Sequence, residues 1–294
     1  MKRNNTLCRI FSLSLCFMFI FLLGCNQTPQ GNEQPPEPPV MKLEYKAVQK
    51  GEYTSDDYFD WEKYGSFTPE KIESTEFNNK IINLKYIEKE KDGDEIAPKY
   101  VYIDTERKGH EYYFDENGKL VGFDKGWPYL LPARNPMPEE EAINYAKNEF
   151  SKYFDISGYS VECTLYDRQR YYKVEFIKYI EDYAAADYVI YRIHTDTGEI
   201  LRMSSANLGR VPSNLDISNM DPDRAWNEVE KLLEEILHSK HYSEEEIQQF
   251  EHEITNLLIV PLSGDRFGLE YTITSHFINS EGKYISEYAT ILVK

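Results

Sequence analysis

Cysteine is scarce in this chain, and its placement removes a class of fold. Of four cysteines in 294 residues, Cys8, Cys16 and Cys25 fall in the first 25 positions, which leaves Cys163 alone in the remainder. No disulfide framework can form among residues 26–294. Cys163 alternates with Val161 and Leu165, a spacing that puts all three on one strand face, so it reads as a small core residue rather than a nucleophile. Long apolar runs are missing too. The one candidate, residues 10–23, is about 14 residues long, whereas a membrane-spanning helix needs about 20. Basic residues are few: 33 Lys and Arg face 51 Asp and Glu, a formal charge of −18. Nucleic acid and polyanionic wall polymers would be repelled, so neither is expected as a partner. His-Glu-x-x-His, Gly-x-Ser-x-Gly, a phosphate loop and a dinucleotide fingerprint are all absent, and no cofactor is expected.

What is present begins at the start of the chain. Lys2, Arg3 and Arg9, the apolar run, and then Leu22-Leu23-Gly24-Cys25 have the layout of a secretory signal segment. Leu-Leu-Gly-Cys resembles the lipobox of bacterial lipoproteins. That resemblance implies residues 1–24 as a signal peptide, cleavage before Cys25, and lipidation of the Cys25 thiol by fatty chains such as palmitate. Each buried methylene contributes about 0.8 kcal/mol, so two or three chains hold a soluble body on a membrane. Losing Lys2, Arg3 and Arg9 takes the charge from −18 to −21. Residues 25–40 are polar and proline-rich, a disordered tether spanning roughly 45 Å at ~3.1 Å per residue. The expected location is the extracytoplasmic face of the cell membrane.

Residues 41–132 read as a β-rich region. Strands are expected at 81–88 and 100–104, with a hairpin where Tyr112-Tyr113-Phe114 and Leu120-Val121-Gly122-Phe123 flank Asn117-Gly118. Prolines 128, 132, 136 and 138 then mark a boundary. Residues 138–154 carry Ala142, Ala146 and Phe150 at helical spacing, with Glu139, Glu140 and Glu141 where the helix dipole favours anions. Period-two patterns place strands at 161–166, 171–180 and 188–195, and the chain returns through 200–203.

Three of these stretches share a family likeness. Pro138-Glu139-Glu140-Glu141-Ala142, Tyr172-Lys173-Val174-Glu175-Phe176, and the ending Tyr191-Arg192-Ile193-His194-Thr195-Asp196-Thr197-Gly198-Glu199 resemble the PepSY domain and its YcdB-type relatives in bacterial surface proteins. The likeness covers about 70 residues of the unit 133–212. It implies a helix-then-sheet module, secreted or membrane-anchored, that binds or inhibits peptidases or acts as a regulatory binding module. An acidic insertion at 179–187 departs from the family pattern.

Residues 213–294 read as a second helix-plus-sheet unit, with a diverged repeat of the first as one of two origins left open. Asp221-Pro222 caps a helix with Trp226, Val229, Leu233 and Ile236 on one face. Ser243 and Glu246 form a capping box for a further helix carrying Ile247, Phe250 and Ile254, and strands follow at 257–261, 267–273 and 284–293.

Few side chains invite a chemical role. His238 and His241, with His252 beyond, would share a face and could ligate zinc on one continuous helix, but the capping box at Ser243 breaks that helix, and no metal site is expected. His276 alternates with Thr272 and Thr274 on a polar strand face and reads as solvated. Ser280 and Lys283 match a bare Ser-x-x-Lys spacing, yet fall in a hairpin turn rather than at a rigid helix start. The 24 tyrosines read first as residues of half-buried sheet faces, with aromatic binding platforms as the alternative. The expected fold is α+β: helices packed on antiparallel sheets, with two helix-plus-sheet units after the β-rich region. The expected function is a non-catalytic, lipid-anchored extracytoplasmic module binding a protein or peptide, with regulation of a peptidase as the role the family resemblance implies. The alternative is a cell-envelope hydrolase using paired carboxylates.

Overall fold

The strongest local signals appear as the elements they foretell. In the computed structural model, which describes residues 37–52, 69–90, 99–107, 109–126, 135–166 and 169–294, β5 (Glu111–Phe114) and β6 (Leu120–Asp124) close as a hairpin. Gly118 sits at φ 73°, the left-handed region that glycine enters at little steric cost. Asp115 tightens the turn by accepting from the Asn117 and Lys119 amides at 2.9 and 2.8 Å. Helix α1 (Glu139–Phe150) starts on its three glutamates and buries Ala142, Ala146 and Phe150. Helix α2 (Pro222–Ser239) is capped by the Asp221 carboxylate, which accepts from the Arg224 amide, and buries Val229, Leu233 and Ile236. The capping box at Ser243 forms as the residues predict.

The remaining strands are β1 (Ala47–Gln49), β2 (Ser74–Phe77), β3 (Lys80–Glu90), β4 (Lys99–Asp104), β7 (Tyr159–Tyr166), β8 (Tyr171–Ile180), β9 (Tyr183–His194), β10 (Ile200–Ala206), β11 (Glu251–Pro261), β12 (Phe267–Ile278) and β13 (Tyr284–Val293). All thirteen join one sheet, ordered β1-β13-β12-β11-β9-β10-β6-β5-β4-β3-β2, with β7 and then β8 leading into β9. Strand β9 therefore has three neighbours. One edge carries β8; the other carries β10 along residues 188–193 and β11, in parallel, at Ala184 and Ala185.

This architecture corrects the expected fold class. The described residues form a mostly-β protein with three helices of 12, 18 and 4 residues, not an α+β arrangement of two helix-plus-sheet units. The reason is strand pairing that crosses the supposed seams. Strand β10 pairs β6 through Arg202 and Asp124 and through Met203 and Phe123, and β11 joins β9. A further correction concerns the helix α3 (Glu244–Ile247), which lasts four residues. The backbone from Glu251 onward is drawn into the ladder opposite 267–276, so Ile254 lies on β11 and not on a helix. Within 179–187 the chain makes a hairpin turn, with Glu181 at φ 53°, and residues from Tyr183 belong to β9.

Residues Pro38–Lys294 share two main cores. Under α1, Phe150 packs on Phe154, Tyr159 and Phe176 with ring centroids 5.6, 5.2 and 5.1 Å apart, alongside Tyr102, Tyr112 and Tyr191. Under α2 lie Met41, Leu269, Tyr271, Ile273 and Ile291. Met41 is held there because its amide donates to the Asp216 carbonyl at 2.8 Å. No helix among the described residues is long and apolar enough to cross a membrane.

Candidate binding face

Strand parity decides which side chains leave the core. On β8, Tyr172, Val174 and Phe176 point under α1, so Tyr171, Lys173, Glu175 and Ile177 point to the opposite face. Register then lines those residues up with their neighbours in rows across β7, β8, β9 and β10. One row reads Thr164, Lys173, Arg192, Arg202 and continues to Asp124 on β6. The row beside it reads Glu162, Glu175, Ile190, Ser204. Three cations in register on adjacent strands are unusual for so acidic a chain, because like charges directly opposite each other destabilise a sheet. Acids on the flanking positions offset this: Lys173 meets Glu175 at 2.7 Å and Arg202 meets Asp124 at 3.6 Å. Aromatic rings finish one end, where Tyr166 stacks on Tyr171 at 4.9 Å and the Arg192 guanidinium lies 5.2 Å from the Tyr171 centroid.

The opposite side of the same strands holds a buried polar knot. The Asp187 carboxylate is fully buried and meets Lys178 Nζ at 3.0 Å. It also accepts from the Gly209 amide at 3.1 Å, the Val211 amide at 3.3 Å and the Tyr159 hydroxyl. Lys178 donates onward to the Val211 carbonyl at 2.8 Å, and its ammonium lies 4.8 Å from the Tyr159 ring centroid. Burial, with the adjacent carboxylate, pushes the Tyr159 phenol well above its ordinary pKa. Every partner is on β7, β8 or the 207–211 segment, so the knot fastens that segment beneath the face. A second knot ties α1 to the β2–β3 turn: Lys152 Nζ lies 3.0 Å from Glu149, 3.2 Å from Glu76 and 3.2 Å from Asn79 Oδ1.

No family model matches the chain, and no curated protein matches it either. Among solved structures it is similar to the Bacillus megaterium YpeB C-terminal domain, at 12% identity and a TM-score of 0.34 over 79% of this chain and 99% of that one. A likeness at that level carries no argument about function, which rests on the side chains above.

The residues singled out from sequence end up apart. Cys25 lies outside the described residues. His238 closes α2 beside Glu244 at 3.3 Å, His241 follows at φ 71°, and His252 is on β11, its Nδ1 2.8 Å from Ser275 Oγ. Among the described residues no group of three or more His, Cys, Asp or Glu could hold a metal. His276 lies beside the Tyr284 ring with Nε2 3.6 Å from Glu251. Ser280 and Lys283 occupy the β12–β13 turn, where Asn279 Oδ1 accepts from the Glu281 and Lys283 amides at 3.1 and 2.8 Å. Cys163 is half-buried on β7, and burial pushes its thiol to about 11, far from the range of a nucleophile. Tyrosine plays both parts: Tyr102, Tyr112, Tyr191 and Tyr271 are core, whereas Tyr284 and Tyr288 stand exposed. Sequence reasoning missed Asp187 and the row Lys173, Arg192, Arg202. The row's outward positions were legible from strand parity, but their alignment depends on register.

Proposed function

We propose that this chain is a non-catalytic, lipid-anchored extracytoplasmic protein whose PepSY-like segment, residues 133–212, binds a protein or peptide partner through the outer face of β7–β10. The observation that carries this reading is the row Lys173, Arg192, Arg202 beside the Tyr166 and Tyr171 stack. Paired charges on an open sheet fix orientation, and rigid tyrosines contribute contact area at low entropic cost. The order α1-β7-β8-β9-β10 is the helix-then-sheet order that the family resemblance implies, and that resemblance supplies a peptidase as the partner class. The strong negative charge supports a body held clear of anionic lipid by its tether.

In-cell photocrosslinking tests the face. A crosslinking residue replacing the exposed Arg202 should capture one discrete protein, and one replacing Glu235 on α2 should not. Equal capture from both positions, or none from Arg202, would overturn the reading. Fractionation tests the anchor: Cys25→Ala should move the protein out of the membrane fraction, and retention there would defeat the lipid argument.

A further inference from the structure

Three strands end the sheet among the described residues, and they are unequal. Strand β1 has three residues and β2 has four, which are short edges of the kind that resist further pairing. Strand β7 has eight, pairs β8 without a register shift, and pairs nothing else among the described residues. Its sequence, Tyr-Ser-Val-Glu-Cys-Thr-Leu-Tyr, lacks the lysine, proline or bulge that protects an exposed edge. Leu165 and Tyr166 remain 45% and 38% exposed, apolar surface at the margin of the sheet. An edge of this length, blunted only by the single charge of Glu162, is a template for an added strand.

We infer that the partner proposed above docks by adding an extended segment to the open edge of β7, with a basic residue directly opposite Glu162. This deepens the preceding reading and rests on it. Glu162 is the one charge on β7, it is exposed, and it stands in register with a second carboxylate, Glu175, on β8. Glu175 already has Lys173 at 2.7 Å. A base on the added strand would lie about 4.5–5.5 Å from Glu162 between Cβ atoms, the distance at which opposite charges stabilise a pair. Residues on either side of that base would point to the α1 face, where Val161, Cys163 and Leu165 offer apolar contact. The net charge of −18 steers such a segment inward.

The probe is a labelled nine-residue peptide alternating Thr and Val around one central Lys, titrated by fluorescence anisotropy. It should bind the full chain and slow amide exchange at residues 160–165. The same peptide with Glu for Lys, and the fully N-methylated peptide, should each bind at least tenfold more weakly. Glu162→Lys should weaken the Lys peptide at least tenfold and strengthen the Glu peptide. Glu235→Lys, which changes the net charge equally, should alter neither. No binding, binding indifferent to N-methylation, or equal effects of the two charge reversals would overturn the inference. Capture through Arg202 that persists while the peptide fails would leave the binding face standing and remove only the strand-addition step.

Discussion

Replacing Asp187 with alanine should unfold this protein far more readily than any surface change. The substitution strands the Lys178 ammonium, itself buried, with the Val211 carbonyl as its remaining hydrogen-bond acceptor at 2.8 Å. It also leaves the Gly209 and Val211 amides and the Tyr159 hydroxyl without their acceptor. Breaking a buried pair from one side costs about 3–5 kcal/mol, because the surviving charge loses its partner but not its desolvation. For a chain of this size each kcal/mol lowers Tm by roughly 2–4 °C, so a fall of about 6–20 °C is expected. Adding Lys178→Met removes the stranded charge, so the double variant should cost no more than Asp187→Ala alone. Some loss, about 1–3 kcal/mol, should persist, since the orphaned amides remain. Urea unfolding followed through intrinsic fluorescence measures Asp187→Ala, Lys178→Met and the double variant in one cycle. An Asp187→Ala loss below about 1 kcal/mol, or a double variant equal to the sum of its singles, would refute the argument that this pair is desolvated and coupled.

Burial holds the His252 imidazole below its ordinary pKa, against the opposing pull of Glu230 and Glu234. The unfolded chain therefore takes up that proton first, and stability should fall as pH drops below about 6.5. His252→Gln should flatten the dependence between pH 7.5 and 5, and an unchanged slope of urea midpoints would exclude His252 as its source. Gly268→Ala should destabilise by about 1–3 kcal/mol, since its Cβ would lie 2.9 Å from both the Val293 carbonyl and a Leu292 methyl. Thermal melts of that variant should show the loss. With its thiol pushed from 9.0 to about 11, Cys163 should alkylate at neutral pH about 100-fold more slowly than an unperturbed cysteine. A rate like that of free thiol would show the site to be open.

Local chemistry made much of this chain readable. The Asn117-Gly118 turn, the Asp221 cap and the Ser243 box each depend on neighbours within four residues, and each formed. Failures came where distant pairing decides. Ile254 sits at helical spacing from Ile247 and Phe250, yet the backbone at 251–254 pairs with 273–276, and a four-residue helix cannot outweigh an eleven-residue strand. Asp187 ended a stretch that read only as an acidic insertion, but the three alanines before it are small enough for β9 to run close beside β8 and β11. The cation row was hidden for a related reason: Lys173, Arg192 and Arg202 are adjacent only once three strands are aligned.

Because β9 lends one edge to both β10 and β11, neither half of the molecule is portable. Excising residues 133–212 would strip β6 from β10 and bare the Ala184 and Ala185 edge, and excising 213–294 would leave β11 without its seat. A gene fusion or truncation that treats either half as a detachable cassette would inherit a raw seam, so the whole body must be grafted or none of it.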